Sequence, residues 1–284
     1  MNDLRELVAA ELGVPVVPQV AAMAAAIAAK HGAASRAVLF YGSCLREARL
    51  DGLMLDFYLI VSDYRAAFAR RWMAAANRLI PPNVFPFEHD GLMAKYAVLS
   101  ETDFARLNGP ATRNVSVWAR FAQPTRLVWA SDQAAAGRAV DAVSGAVPTL
   151  LGAAGRVAGE DMLDWWRRAF ALTYSAELRA ERKGRSQSVV DAEPGRYRSF
   201  GEAAAPLVAG NAGQWARRRI EGKALSMLRL AKASATYAGG ADYIAWKINR
   251  HAGTKIALKP WQQRHPLLAA ISLLPRLLKS GAIR

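Results

Sequence analysis

Apolar positions along the chain follow two periodicities. Near the start, "VPQVAAMAAAIAAKHG" (residues 17–32) is an alanine-rich run closing on Lys30, His31 and Gly32, which predicts a helix with its own stop signal. "AVLFYGS" and "LMLDFYLIVSD" are short, aliphatic and aromatic, and bounded by Gly, Ser and Asp; they predict two strands flanking a glycine loop. "YRAAFARRWMAAANRLI" returns to helical spacing through Phe68, Trp72 and Leu79, until Pro81 and Pro82 end it. "LMAKYAVLS" then predicts a third strand. In "VSVWARFAQPTRLVWASD" apolar and cationic residues alternate less cleanly, and after Asp132 helical patterns dominate. Residues 159–182 predict a long helix with acidic residues early and mostly basic residues late, the sense the helix dipole favours. A second helix follows in "AGQWARRRIEGKALSMLRLAKASATYAG". The expected class is α+β, with a mixed-sheet domain over 1–135, a mainly helical domain over 136–240, and a basic, aromatic, amphipathic segment over 241–284.

Composition narrows the class. Hydrophobic residues make up 52% of the 284 and charged residues 21%, which is ordinary for a folded protein and excludes a disordered chain. The single cysteine, Cys44, excludes an internal disulfide and a cysteine-based zinc site. The four histidines have no close metal-ligand spacing. "MNDLRELVAAELG" puts acids where a secretory signal carries positive charge, so a cytoplasmic location is expected.

Charge adds a direction. The formal net charge of +15 divides unevenly: residues 1–150 hold 15 Lys and Arg against 13 Asp and Glu, and residues 151–284 hold 23 against 10. The basic half is expected to face an anion: nucleic-acid backbone, an anionic lipid surface or a phosphorylated substrate.

The chemistry concentrates at "VLFYGSCLREARLDGLMLDFYLIVSD" (residues 38–63). A strand, a Gly-Ser turn and a second strand bearing a carboxylate are the parts of a nucleotidyl-transfer site. Gly42 lets backbone N–H groups approach a triphosphate, and the Ser43 hydroxyl adds a donor. Asp56 sits in an apolar strand, where a carboxylate is costly unless it meets a cation, and is expected to hold Mg²⁺. The strand period puts Asp56 and Tyr58 on one face, so Tyr58 stands where common nucleotidyltransferases place a second carboxylate. Asp63 lies about 23 Å along an unbroken strand and reads as a turn residue. Glu88 or Asp90 is left as the second metal ligand. Neither a Gly-Lys-Ser/Thr loop nor a G-x-G-x-x-G fingerprint is present.

These residues carry a resemblance. Tyr41-Gly42-Ser43, Leu55-Asp56-Phe57 with Asp63 closing the strand, Lys95-Tyr96 and Arg120-Phe121 resemble the mitochondrial-type phosphatidate cytidylyltransferases of the translocator assembly and maintenance family, most closely its bacterial members, over roughly residues 36–265. Cys44 stands where the mitochondrial members usually carry glycine. The resemblance implies a nucleotidyltransferase-like mixed sheet joined to a winged-helix-like helical domain. It also implies magnesium-dependent conversion of CTP and phosphatidate into CDP-diacylglycerol and pyrophosphate, without the second aspartate.

The expected roles follow. Gly42, Ser43, Lys95 and Arg120 bind CTP, with Lys95 also stabilising transition-state charge; Arg120 serves alternatively in a structural ion pair. Asp56 is catalytic as the metal ligand, with Glu88 beside it. Tyr96 faces away and packs. Trp246, Lys247, Arg250 and Lys255 are expected to bind lipid, since cations interleaved with amphipathic rings suit a headgroup layer. "LLAAISLLPRLLKSGAIR" is interrupted by Pro275, Arg276 and Lys279, too short to span a bilayer, and is expected to lie in the interface. The expected place is the cytoplasmic face of a membrane, with CTP, phosphatidate and an anionic surface as partners and no nucleic acid. Two rivals are a nucleotidyltransferase acting on RNA or another acceptor, and an inactive membrane-associated scaffold.

Overall fold

The computed structural model describes residues 2–46, 50, 52–177, 185–209 and 214–236. Two helices, α1 (Asn2–Leu12) and α2 (Pro18–His31), lead into strand β1 (Ser35–Tyr41). Pro18 opens α2 in the first turn, where its missing N–H costs nothing, and Gly32 closes it at φ 53°. A glycine loop leads to β2 (Met54–Val61), then α3 (Tyr64–Ala67), α4 (Arg71–Leu79), β3 (Asn83–His89) and β4 (Leu92–Ser100). Next come α5 (Glu101–Asn108), α6 (Trp118–Phe121) and β5 (Thr125–Ala130). From there the described chain is helical: α7 (Gln133–Ser144), α8 (Ala146–Ala154), α9 (Met162–Ala176), α10 (Arg185–Ala192), α11 (Pro194–Ala204) and α12 (Trp215–Thr236).

The five strands form one sheet in the order β3-β4-β2-β1-β5. The β2–β4 pair is parallel and the other three are antiparallel, so the sheet is mixed. Both faces are covered, which explains why β1, β2 and β4 read as nearly continuous apolar runs. On one face α2 lays Val20, Met23 and Ile27 against Val38, Phe40, Phe57, Tyr96 and Val98. On the other, Leu39, Tyr41, Tyr58, Ile60 and Leu99 join a core that continues through Phe104, Trp118 and Phe121 to Trp165, Trp166, Phe170 and Tyr197. The α+β reading is thus present in the structure: an N-terminal mixed sheet with helices, then a mainly helical region. The core nevertheless runs without a break across residue 135, and α1 returns to pack on α7 and α11. Arg196 of α11 pairs with Glu11 of α1 and also donates to the Ala122 carbonyl at 3.1 Å.

Several segments differ from expectation. The run after Asp63 is two helices, since Phe68 adopts extended backbone between α3 and α4. Phe68 is buried as expected, but Trp72 and Leu79 are exposed; the inward set is Tyr64, Phe68, Ala74 and Asn77. The third-strand segment is β4, and "NVFPFEH" before it forms its antiparallel partner β3. "TRLVWA" forms β5 on the far edge. No strand follows Ala130 among the described residues, so a winged-helix β-wing has no counterpart there.

Candidate functional site

Strand register builds the site. Tyr41 on β1 is paired with Asp56 on β2, and Asp56 with Lys95 on β4, so three neighbouring strands put these side chains in one row on one face. Lys95 Nζ lies 2.9 Å from Asp56 Oδ1, and both side chains are about one-fifth exposed (24% and 21%). The carboxylate inside the apolar strand is therefore paired, as its desolvation cost requires.

The turn that follows β1 closes over this row. Gly42 has φ 95°, a conformation that favours glycine, and a Cβ there would stand 3.1 Å from Asp56 Oδ2. Gly42 is needed both for the turn and for the space beside the carboxylate. Ser43 begins a 3-10 turn, Ser43–Arg46, and its side chain lies outside the described set. Cys44 is buried, with Sγ 3.6 Å from the Met54 carbonyl oxygen, which ties the loop back to the start of β2.

Behind the row lies a second layer. Tyr41 and Tyr58 pack with ring centroids 5.3 Å apart, and Tyr58 packs edge-on against Phe121. Arg120 of α6 places its guanidinium 4.8 Å from the Tyr41 ring centroid and hydrogen-bonds the Tyr58 hydroxyl. Burial pushes the Tyr58 pKa up, and Arg120 and Arg229 partly oppose it. Burial alone would lower the Arg120 pKa; Tyr41, Tyr58, Glu177 and Asp56 outweigh it and hold the guanidinium above its ordinary range.

Helix α12 reaches the same place from the helical region. Arg229 donates from Nε to the Pro81 carbonyl at 2.8 Å and from Nη1 to Ser116 Oγ at 2.9 Å. Burial lowers the Arg229 pKa, with Tyr58 and Glu177 opposing and Arg120 adding to the shift. One turn on, Lys232 donates to the Ile80 and Pro82 carbonyls. Its pKa is lowered to about 7, chiefly by burial and secondarily by Arg229.

The structure thus gathers Gly42, Asp56, Lys95 and Arg120. It does not bring Glu88 to them. Glu88 is paired with Met93, two strands and two residue steps from Asp56, about 12 Å at the backbone for spacings of ~4.8 and ~3.3 Å, and its side chain is exposed. Asp90 occupies the exposed turn after β3. Among the described residues no group of three or more His, Cys, Asp or Glu is placed to hold a metal. Mg²⁺ needs only one or two protein carboxylates when phosphate oxygens and water complete its shell. Asp56 fits as a lone ligand, its Oδ2 facing the gap that a Gly42 Cβ would fill.

Asp63 caps α3, accepting from the backbone N–H groups of Arg65 at 2.7 Å and Ala66 at 3.0 Å. Tyr96 faces the other side of the sheet, its hydroxyl 3.1 Å from His31 Nε2. Trp246, Lys247, Arg250 and Lys255 lie outside the described residues. Sequence reasoning missed Arg229 and Glu177, because a contact between residues more than 100 positions apart leaves no local spacing; the surplus of Arg and Lys after residue 150 was the only signal. Among the described residues no helix is long and apolar enough to cross a membrane. No family model matches the chain, and no curated protein matches its sequence.

Proposed function

We propose that the protein is a magnesium-dependent nucleotidyltransferase that makes CDP-diacylglycerol and pyrophosphate from CTP and phosphatidate at the cytoplasmic face of a membrane. The observation that carries the reading is the Tyr41–Asp56–Lys95 row under the Gly42 turn, with Arg120 behind it. A glycine turn with space beside a carboxylate, flanked by a lysine and an arginine, suits a triphosphate. Backbone N–H groups and cations meet its oxygens, and the carboxylate is available to a metal they share. Cytidine and phosphatidate as substrates rest on the family resemblance of those same residues, and the basic half of the chain suits an anionic lipid.

The reaction needs no covalent enzyme intermediate. A phosphatidate oxygen attacks the α-phosphorus of CTP, the bond to the bridging oxygen breaks, and pyrophosphate leaves with the electron pair. An ionised phosphate is already nucleophilic, so orientation and charge neutralisation dominate. Lys95 and Arg120 supply fixed positive charge where the leaving group gains negative charge. Asp56 would hold magnesium, which when bound adds Lewis-acid stabilisation of the phosphoryl oxygens.

Product analysis tests the assignment: phosphatidate in mixed micelles with CTP should give a lipid of CDP-diacylglycerol mass, and ATP should give none. Transfer of CMP to RNA instead would refute the lipid assignment. A second reading has one observation in its favour. Tyr58 fills the same-face position two residues after Asp56 with a buried ring, which suits a membrane-associated scaffold that binds nucleotide without turnover. CTP binding with no product from any phospholipid would select it.

A further inference from the structure

Tyr58 holds the same-face position in which a second carboxylate would stand, and its surroundings are cationic. Arg120 approaches from α6 and Arg229 from α12, both close enough to Tyr58 to act on it electrostatically. Glu177, at the bend after α9, favours the charged form of both guanidiniums through its own charge. Like charges brought together below the surface repel, and each has lost part of its hydration. Lys95 answers Asp56, while Arg120 and Arg229 act on one another beside Tyr58 with Glu177 as the opposing charge. One donor is conspicuous: Arg229 Nη2 is buried and has no hydrogen-bond partner among the described residues, while Nε and Nη1 of the same fork are anchored. A buried guanidinium N–H left without an acceptor is costly, and an arriving anion would remove that cost.

We propose that Arg120 and Arg229 form a two-guanidinium clamp for the polyphosphate of the nucleotide, supplying fixed positive charge from α6 and α12. Tyr58 spaces the two forks, and Glu177 holds the clamp in the absence of ligand and is displaced from it by the polyphosphate. The clamp rests on the nucleotidyl-transfer reading and assigns that reading's polyphosphate subsite to both halves of the fold.

The test uses the full chain and calorimetric titration with inorganic tripolyphosphate, CTP and CMP. Arg229→Gln is expected to weaken tripolyphosphate and CTP about tenfold or more and to leave CMP unchanged, and Arg229→Lys to recover part of the loss. Glu177→Gln is expected to tighten tripolyphosphate severalfold, since it removes the competing anion; a purely structural role for Glu177 would not produce a gain. Unchanged tripolyphosphate affinity in both Arg229→Gln and Glu177→Gln overturns the clamp, as does absence of tripolyphosphate binding by the wild type. If Arg229→Gln does not fold, Glu177→Gln decides alone: tightening supports the clamp, and no change or weakening overturns it. Failure of the clamp and failure of the enzymatic reading separate cleanly. Loss of tripolyphosphate binding in Arg229→Gln without any CTP turnover by the wild type keeps the clamp and removes the transferase. Turnover with an unchanged KM for CTP in Arg229→Gln does the reverse.

Discussion

At the scale of single residues, the site depends on Gly42 and Asp56 sharing a small space. Gly42→Ala forces a side chain into a left-handed backbone and sets its Cβ 3.1 Å from Asp56 Oδ2. Stability should fall by about 1–2 kcal/mol in urea denaturation, and CTP affinity by about tenfold, roughly 1.4 kcal/mol. Asp56→Asn keeps the shape but removes the charge that answers Lys95; pyrophosphate release should drop about 100-fold or more with the thermal transition retained. Gly42, Asp56 and Lys95 were legible in the sequence because a period of two and a Gly-Ser break are local signals. Tyr96 was legible for the same reason, one step round the strand. Glu88 was misplaced because its position depends on which strand β3 pairs with, and pairing is a long-range choice that no short window encodes.

At the scale of elements, the breaks are informative. Asp63 accepts two backbone N–H groups at the start of α3 and stands outside the row of Asp56 and Lys95. Asp63→Ala should therefore cost about 1 kcal/mol and leave CTP affinity unchanged, which separates it from Asp56 in one pair of titrations. Strand β3 escaped notice because Pro86 sits within it, tolerable only because β3 is an edge strand. Strand β5 escaped because its positions are half-buried and Arg126 interrupts its apolar pattern. Helix α12 was legible as a helix, but its docking on the loop before β3 was not. That docking has a pH signature. The folded-state pKa of Lys232 lies near 7, below its ordinary 10.5, so between those values the unfolded chain binds more protons than the folded one. Stability should rise with pH across that interval as the burial cost of the ammonium is relieved, and the cost is fully present below about 7. Denaturation midpoints at pH 7 and pH 9.5 should show this gain in the wild type and lose it in Lys232→Met; the same gain in both would exclude Lys232 as its source.

At the scale of the whole molecule, one core ties the sheet to the helical region, and the site lies where they meet. The sheet supplies Asp56 and Lys95, and α12, one of the last described elements, supplies Arg229. From the basic half, Arg229 docks on the Pro81 carbonyl just before edge strand β3. Its expected lipid-facing residues, Trp246 to Lys255, lie beyond the described residues, and their role is approached through activity. Pyrophosphate release from CTP with magnesium, with and without phosphatidate in mixed micelles, in the wild type and in Asp56→Ala, tests the proposed lipid cytidylyl transfer. Release should require the lipid and disappear in Asp56→Ala. Release without regard to lipid, release that survives in Asp56→Ala, or none with any nucleoside triphosphate and any phospholipid would contradict it.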